Sequence, residues 1–461
     1  MSACPVFPPP LKGKASLFSL FFKKKRSLLD ALYARSYSMK MGEVSLPGID
    51  LYMVNQPDLV RRVMVNEVNA FPKHRMLGEI LGPLLGESIF TTNGHQWRRQ
   101  RDLLDPSFTM VRVQHVFALM QAAVSEMMAR LEKEVDKGPF DIDHEMTFVT
   151  ADVIFRTILS VSLDDKEARK IFDAFVLFQK ESPAAALKRV FRLPRWLPYG
   201  RRGEKLRLQA GQEIRDALAK LILPRYEAAQ NGTPGPEEDI LSTILQAKDP
   251  DTGACFTFEE IVDQIAMLFL AGHETSASAL TWSLYLLSLY PDIQDQAAQE
   301  VVRVTETEGW SVSSLKGMAL VRDIFREALR LYPPVGFFTR ECANDTEMRD
   351  KKMKKGSIVV VAPWLIHRHK DFWDNPHGFD PFRYEKGKMK VPMASAFMPF
   401  GMGQRVCIGT AFAMQEAALV LASFLKAYKV ELAPGFVPEP VGRITVRSDN
   451  GMRVILKRRG V

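Results

Sequence analysis

The residues best suited to chemistry stand in two short runs. The first is Phe400-Gly401-Met402-Gly403-Gln404-Arg405-Val406-Cys407-Ile408-Gly409, followed from Thr410 by an apolar stretch that reads as a helix. Glycines at three fixed positions predict a tight loop against which a bulky planar group can lie. Cys407 falls just ahead of the helix, where orphan amides and the positive dipole end favour a thiolate. A lone cysteine is more often a small buried hydrophobe. The loop around this one suits a metal-bound sulfur that needs donated hydrogen bonds and shelter from solvent. The second run is Ala271-Gly272-His273-Glu274-Thr275-Ser276. Ala271 and Thr275, four apart, share a helical face, and Gly272 removes bulk so that a ligand could approach the backbone. An acid beside an alcohol in an apolar stretch suits a proton relay. A packing groove beside a solvated glutamate explains the same residues, so neighbouring motifs must decide.

The second run needs a long helix to carry it. Thr257 and Glu260 have capping-box spacing, and helix-compatible residues continue to Tyr290, just before Pro291. Such a helix is on the order of 50 Å long, enough to cross a globule. A transmembrane span is the competing reading of its apolar middle, Ile265 to Gly272. That span would put His273 and Glu274 at bilayer depth, where ionisable groups are costly, so a buried central helix is expected. Helical periodicity also covers Leu59 to Val68, Val113 to Val135, Phe148 to Leu159, Leu206 to Ala229 and Ala411 to Ala427. Strand signals are confined to Glu43 to Val54, Ser357 to Val361 and Thr445 to Leu456. The fold class is mainly α with a small β-sheet region. Asn231 to Glu238 reads as a surface loop, not a domain linker, because the motifs straddle it.

Composition removes other classes. The chain has 461 residues, 46% hydrophobic and 25% charged, which excludes disordered, collagenous and disulfide-scaffold proteins. Its net charge of +8 is too thinly spread to argue for nucleic acid. Cys4, Cys255, Cys342 and Cys407 are too few and too far apart for a disulfide framework, and no Cys-x-x-Cys pair suggests zinc. A reducing compartment is expected. Ser16 to Phe22 is apolar but far shorter than the roughly twenty residues a span needs. The basic run Lys23 to Arg26 follows it, the reverse of a secretory signal. We expect a soluble, cytoplasmic protein with at most peripheral membrane contact.

The decapeptide ending at Gly409 resembles the haem-binding loop of the cytochrome P450 family, Phe-Gly-x-Gly-x-Arg-x-Cys-x-Gly, at every specified position. The resemblance extends over nearly the whole chain, since the Ala271–Ser276 run is similar to that family's oxygen-activating helix. Between them lie Glu327-Ala328-Leu329-Arg330 and Phe379-Asp380-Pro381-Phe382-Arg383-Tyr384. The family pattern makes Glu327, Arg330 and Arg383 a structural triad, with Tyr384 where it usually has Phe. Trp97-Arg98-Arg99-Gln100-Arg101 resembles the helix that binds haem propionates. The resemblance implies Trp97, Arg101, Arg340, Arg405 and His95 as propionate partners, and Phe400, Gly401, Gly409 and Ala271 against the haem.

What it implies is one large cytochrome P450 domain over residues 31–461, after an extension of residues 1–30 with no transmembrane helix. It implies haem b with Cys407 as axial thiolate, Thr275 and Glu274 handling protons, and insertion of one oxygen atom from dioxygen into a C–H bond. The substrate pocket is expected from Met76 to Phe90, Ala184 to Phe191, Met267 to Ala271, Val335 to Phe338 and Ile444 to Val446. These largely apolar segments suit a fatty acid, terpenoid or steroid-like molecule. Only about fifty residues follow Cys407, too few for a flavin domain. Electrons are therefore expected from a separate ferredoxin and its reductase or another external donor, to a monomer. A non-catalytic haem sensor or carrier and a peroxide-using haem-thiolate enzyme are the alternatives; the presence of both Glu274 and Thr275 counts against them.

Overall fold

Two long-range devices position the chemistry: a buried central helix and a buried charge hub behind the cysteine loop. The computed structural model describes residues 4–11, 27–46, 49–190, 201–233, 235, 238–385, 387, 388 and 392–460, without the side chains of 46, 49, 183–190 and 201. Ser16 to Phe22, Lys23 to Arg26, and the side chains from Ala184 to Phe191 thus lie outside the described residues, as do three residues of the loop Asn231 to Glu238.

The helices that matter here are α1 (Met76–Leu85), α2 (Gly94–Leu104), α3 (Phe117–Leu131), α4 (Ile142–Leu159), α5 (Lys166–Val190), α6 (Arg201–Gln230), α7 (Phe258–Leu289), α8 (Pro291–Glu308), α9 (Ala319–Leu331) and α10 (Thr410–Ala427). The strands are β1 (Met41–Leu46), β2 (Ile49–Val54), β3 (Phe140–Asp141), β4 (Phe338–Glu341), β5 (Thr346–Met348), β6 (Lys351–Met353), β7 (Ile358–Val361), β8 (Tyr428–Leu432), β9 (Pro440–Gly442), β10 (Val446–Ser448) and β11 (Arg453–Arg458). The largest sheet has the order β1-β2-β7-β4, with β2 and β7 parallel and the other pairs antiparallel. Strands β4 and β8 carried no clear period in the sequence. The first matters, because it holds Arg340 opposite Val359.

Helix α7 starts as its capping box requires. The Thr257 hydroxyl accepts from the Glu260 N–H at 3.3 Å, and the Glu260 carboxylate accepts from the Thr257 N–H at 2.9 Å. It packs against α4, α6, α9 and α10, and a helix with apolar residues on nearly every side of its middle is stable in such a position. Every residue from Ile261 to Leu287 is buried except Ala271, Gly272 and Thr275. Among the described residues no helix is long and apolar enough to cross a membrane. At Gly272 an added Cβ would stand 2.5 Å from Cδ1 of Ile154 on α4, so this glycine also lets two helices close on each other.

The hub is centred on Glu327, buried on α9. Arg330 grips its carboxylate with two N–H groups at 2.7 and 2.8 Å, and Arg383 adds a third at 2.9 Å. The Asp380 N–H and the Tyr384 hydroxyl each donate at 3.1 Å. Burial opposes ionisation of Glu327, but the arginines outweigh it and hold the carboxyl below its usual range. Arg330 also donates to the carbonyls of His367, Pro376 and Gly378. His367 in turn accepts from the Met398 N–H at 2.9 Å. It can accept because burial, with Arg330 and Arg368 nearby, lowers its pKa to about 3 and keeps it neutral. Met398 leads directly into the cysteine loop, so the hub braces that loop through backbone, as a well-satisfied buried ion pair can.

The tyrosine that replaces the expected phenylalanine thus supplies a fifth hydrogen bond to a buried carboxylate. Tyr384→Phe should cost about 2 kcal/mol, the usual worth of a hydrogen bond to a charged group. Urea unfolding checks it; unchanged stability would mean the hydroxyl adds nothing to the hub.

Candidate active site

The cysteine loop is shaped by glycine where the backbone demands it. Gly401 and Gly403 have φ of +74° and +71°, and a Cβ on Gly403 would meet the Met64 carbonyl at 2.6 Å. Gly409 is different: its φ is −86°, and an added Cβ would stand 4.0 Å from the Cys407 Sγ. Its lack of a side chain therefore serves the space beside the sulfur. The Cys407 N–H donates to the Phe400 carbonyl at 2.9 Å, closing the loop, and the Thr410 hydroxyl donates to the Cys407 carbonyl at 2.8 Å.

Burial pushes the Cys407 thiol up, and the Gly409 N–H, Arg101 and Thr410 only partly offset it. The side chain is nonetheless exposed. The sulfur is thus open to a ligand. On α7, which packs against α10, the unburied residues Ala271 and Thr275 form a matching open stripe. A single sulfur suits a metal whose other ligands come with a planar macrocycle.

Arg101 on α2 donates to the Val406 carbonyl at 2.7 Å and to Asp105 at 2.6 Å, so it buttresses the loop itself. Arg405 donates to the Phe71 carbonyl at 3.2 Å and Arg340 to that of Thr339 at 2.9 Å. The Nε of each is buried without a hydrogen-bond partner. Arg405 lies 5.7 Å from the centre of the buried Trp97 ring, and Lys73 lies 5.8 Å from it. Lys73 also donates to the Ile89 carbonyl. Burial, then the charges of Arg405, Arg340 and Arg101, lowers the Lys73 pKa to about 6, and burial and Arg405 lower Arg340 to about 10. Mutually repelling buried cations call for an anion, and the two carboxylates of a haem fit that demand. His95 is exposed on the first turn of α2. The sequence reading missed Lys73, which has no local signal: a β-bridge to Arg340, distant in sequence, brings it in.

The acid and the alcohol on α7 are engaged separately. The Thr275 hydroxyl donates to the Ala271 carbonyl at 2.7 Å, leaving its oxygen free to accept. Glu274 accepts from Thr445 at 2.5 Å and from Arg447 at 2.7 and 3.1 Å. Burial disfavours its charge, but Arg447, with His273 and Thr445, more than compensates and holds the carboxyl low. The neighbouring Ser276 faces Glu416 of α10. Neither oxygen of that buried carboxyl has a hydrogen-bond partner of ordinary geometry, and the Ser276 hydroxyl only tempers the burial that raises it to about 8.

Comparison with known proteins gives four findings. A sequence profile described as Cytochrome P450 matches residues 8–448. "Cyclooctatin synthase" of Streptomyces melanosporofaciens is 31% identical over 432 residues, covering 92% of this chain and 89% of that protein. "11-oxo-beta-amyrin 30-oxidase" of Glycyrrhiza uralensis is 28% identical over 423 residues, covering 88% and 78%. A crystal structure described as the cytochrome P450DA heme domain superposes with a TM-score of 0.80 at 22% identity, over 91% of this chain and 90% of that one.

The Glu416 environment gives a pH signature. Its folded pKa lies above the ordinary 4.5, so its contribution to stability is full below that value and is lost as pH rises toward about 8. Glu416→Gln should flatten the fall of Tm over that window. A fall as steep in the variant as in the parent would contradict this.

Proposed function

The chain belongs to the cytochrome P450 family, and from that premise we propose a monooxygenase of a terpenoid-like hydrophobic molecule that receives its electrons from a separate ferredoxin. Haem b bound through a cysteine thiolate supplies the oxidising chemistry, because electron density pushed from sulfur favours O–O cleavage. The observation that carries this reading is the exposed Cys407, held by its closed glycine loop just ahead of α10, which packs against α7.

The remaining work falls to the chain. Lys73, Arg340 and Arg405, beside Trp97, would hold the two haem carboxylates. Arg101 would fix the loop, and Phe400, Gly401 and Gly409 would leave room for the macrocycle. Ala271 would lie over it. Thr275 can accept a hydrogen bond while its O–H rests on the Ala271 carbonyl, and it would turn that O–H toward the reacting dioxygen to pass a proton on. Glu274 would relay that proton from solvent. Over one cycle, dioxygen, a C–H bond, two electrons from the partner and two protons give C–OH and one water.

Two relatives are named for cyclooctatin and for 11-oxo-beta-amyrin, and a cyclic terpenoid is the class we take forward. An acidic ferredoxin suits the exposed Arg98 and Arg112, which lie close in sequence to the loop-bracing Arg101. Cys4, Cys255, Cys342 and Cys407 are all free thiols, which suits a cytoplasmic home. We read residues 31–461 as one catalytic domain. The extension of residues 1–30 is pinned to it at Val6, whose N–H donates to the Tyr285 hydroxyl and whose carbonyl accepts from Tyr332.

Reduction under carbon monoxide should give the red-shifted Soret band of a thiolate-bound haem, lost in Cys407→Ala; a band that survives the substitution would overturn the ligand assignment. Cyclic terpenoids should shift the resting spectrum, and a shift obtained only with fatty acids would overturn the substrate class. Thr275→Ala should keep the haem spectrum while product per NAD(P)H consumed falls by about tenfold or more and hydrogen peroxide rises. Undiminished coupling would remove Thr275 from proton transfer.

A further inference from the structure

Glu274 sits in a wall between two spaces. On one side is the open stripe of α7 at Ala271 and Thr275. On the other is an open cavity of about 470 Å³, lined by Glu274, Thr445 and Arg447 together with side chains from α4 and α5. The cavity is rich in charge and polar groups, unlike the apolar surroundings of α7. Water filling it reaches the Glu274 carboxyl, which is part of its lining.

The guanidinium in that wall is shared. Arg447 on β10 donates from Nη2 to Oε2 of Glu274 at 2.7 Å and from Nε to Oε1 at 3.1 Å. Its Nη1 donates to Oδ1 of Asp143, at the start of α4, at 2.7 Å, and to the Thr147 hydroxyl at 3.0 Å. Asp143 also accepts from Thr281 of α7 at 2.9 Å. One cation thus serves two carboxylates of different exposure: Glu274 buried, Asp143 at the cavity edge.

We propose that Arg447 is a positioning residue for proton supply: divided between Glu274 and Asp143, it sets how readily Glu274 takes a proton from cavity water and passes it on. This rests on the reading of Glu274 as the relay acid. Each cycle of the carboxyl balances, with one proton accepted from water and one released toward Thr275, the carboxylate being restored. Were Arg447 bound to Glu274 alone, the carboxylate would be held too firmly to pick up protons. With no arginine, burial would keep it protonated and the relay would stall in that state.

The other charged groups facing this cavity are Asp141 and His144 at the start of α4, Arg169, Asp173 and Lys180 on α5, and Arg443 ahead of β10. On α7 itself burial lowers the pKa of His273, and its charge acts on Glu274 in the same direction as Arg447. Among these charges, Arg447 donates two hydrogen bonds to Glu274.

The test uses the haem-loaded protein with a surrogate ferredoxin and compares Arg447→Gln, Asp143→Asn and Glu274→Gln. Coupling of NAD(P)H to product should be flat in the parent between about pH 6 and 8, because Glu274 titrates below that range. Arg447→Gln should introduce an ionisation within it. A protonated-carboxyl band should also appear in the infrared spectrum at neutral pH, a readout independent of turnover. Asp143→Asn acts in the opposite direction: each unit by which it lowers Glu274 makes the protonated form about tenfold scarcer, so turnover falls and its solvent isotope effect grows. Should Arg447→Gln fail to fold, Asp143→Asn carries the test alone. If Glu274→Gln uncouples the enzyme while the other two variants keep the parental pH profile, infrared spectrum and isotope effect, Arg447 is a structural brace and the proposal is overturned. If Glu274→Gln leaves coupling intact, the relay reading itself has failed.

Discussion

A buried sulfur resists becoming an anion, and this fold is organised to overcome that resistance at one position. Burial alone raises the Cys407 thiol, and the donors around it offset only part of the effect. A bound metal cation completes the compensation, since a coordinated thiol is deprotonated outright. The loop must therefore be rigid before the ligand arrives. Closing the loop from Cys407 to Phe400, bracing its far side with Arg101, and tying Met398 to His367 and the Glu327 hub provide that rigidity.

The same logic runs through the rest of the site. Charges are buried only where another group answers them. Glu327 is answered within the chain by two arginines and a tyrosine. Glu274 is answered by Arg447. Lys73, Arg340 and Arg405 have no counter-charge among the groups that shift them, and a dicarboxylate cofactor supplies it. Glu416 differs: its carboxyl is raised to about 8 because the Ser276 hydroxyl offsets only part of its burial.

Much of this was legible in the sequence where the signal is local. The glycine loop, the capping box at Thr257 and Glu260, and the two motifs of the hub are contiguous patterns, and each lies where its spacing required. The missed features share one cause: they join segments far apart in the chain. Lys73 acquires its role from a bridge to β4, a strand too short to show a period. Arg447 reads as one more surface arginine until the β9–β10 hairpin delivers it to Glu274. The packing role of Gly272 against Ile154 of α4 cannot be seen from α7 alone. The substitution at Tyr384 looked like a tolerated departure, whereas its hydroxyl reaches the buried glutamate.

Electron paramagnetic resonance of the ferric protein, compared with Cys407→His, examines the sulfur itself. The parent should give the rhombic low-spin signal of a thiolate-ligated haem, and the histidine variant should replace it with that of an imidazole ligand. Identical signals from the two proteins would show that iron is held elsewhere and would contradict the account at its foundation.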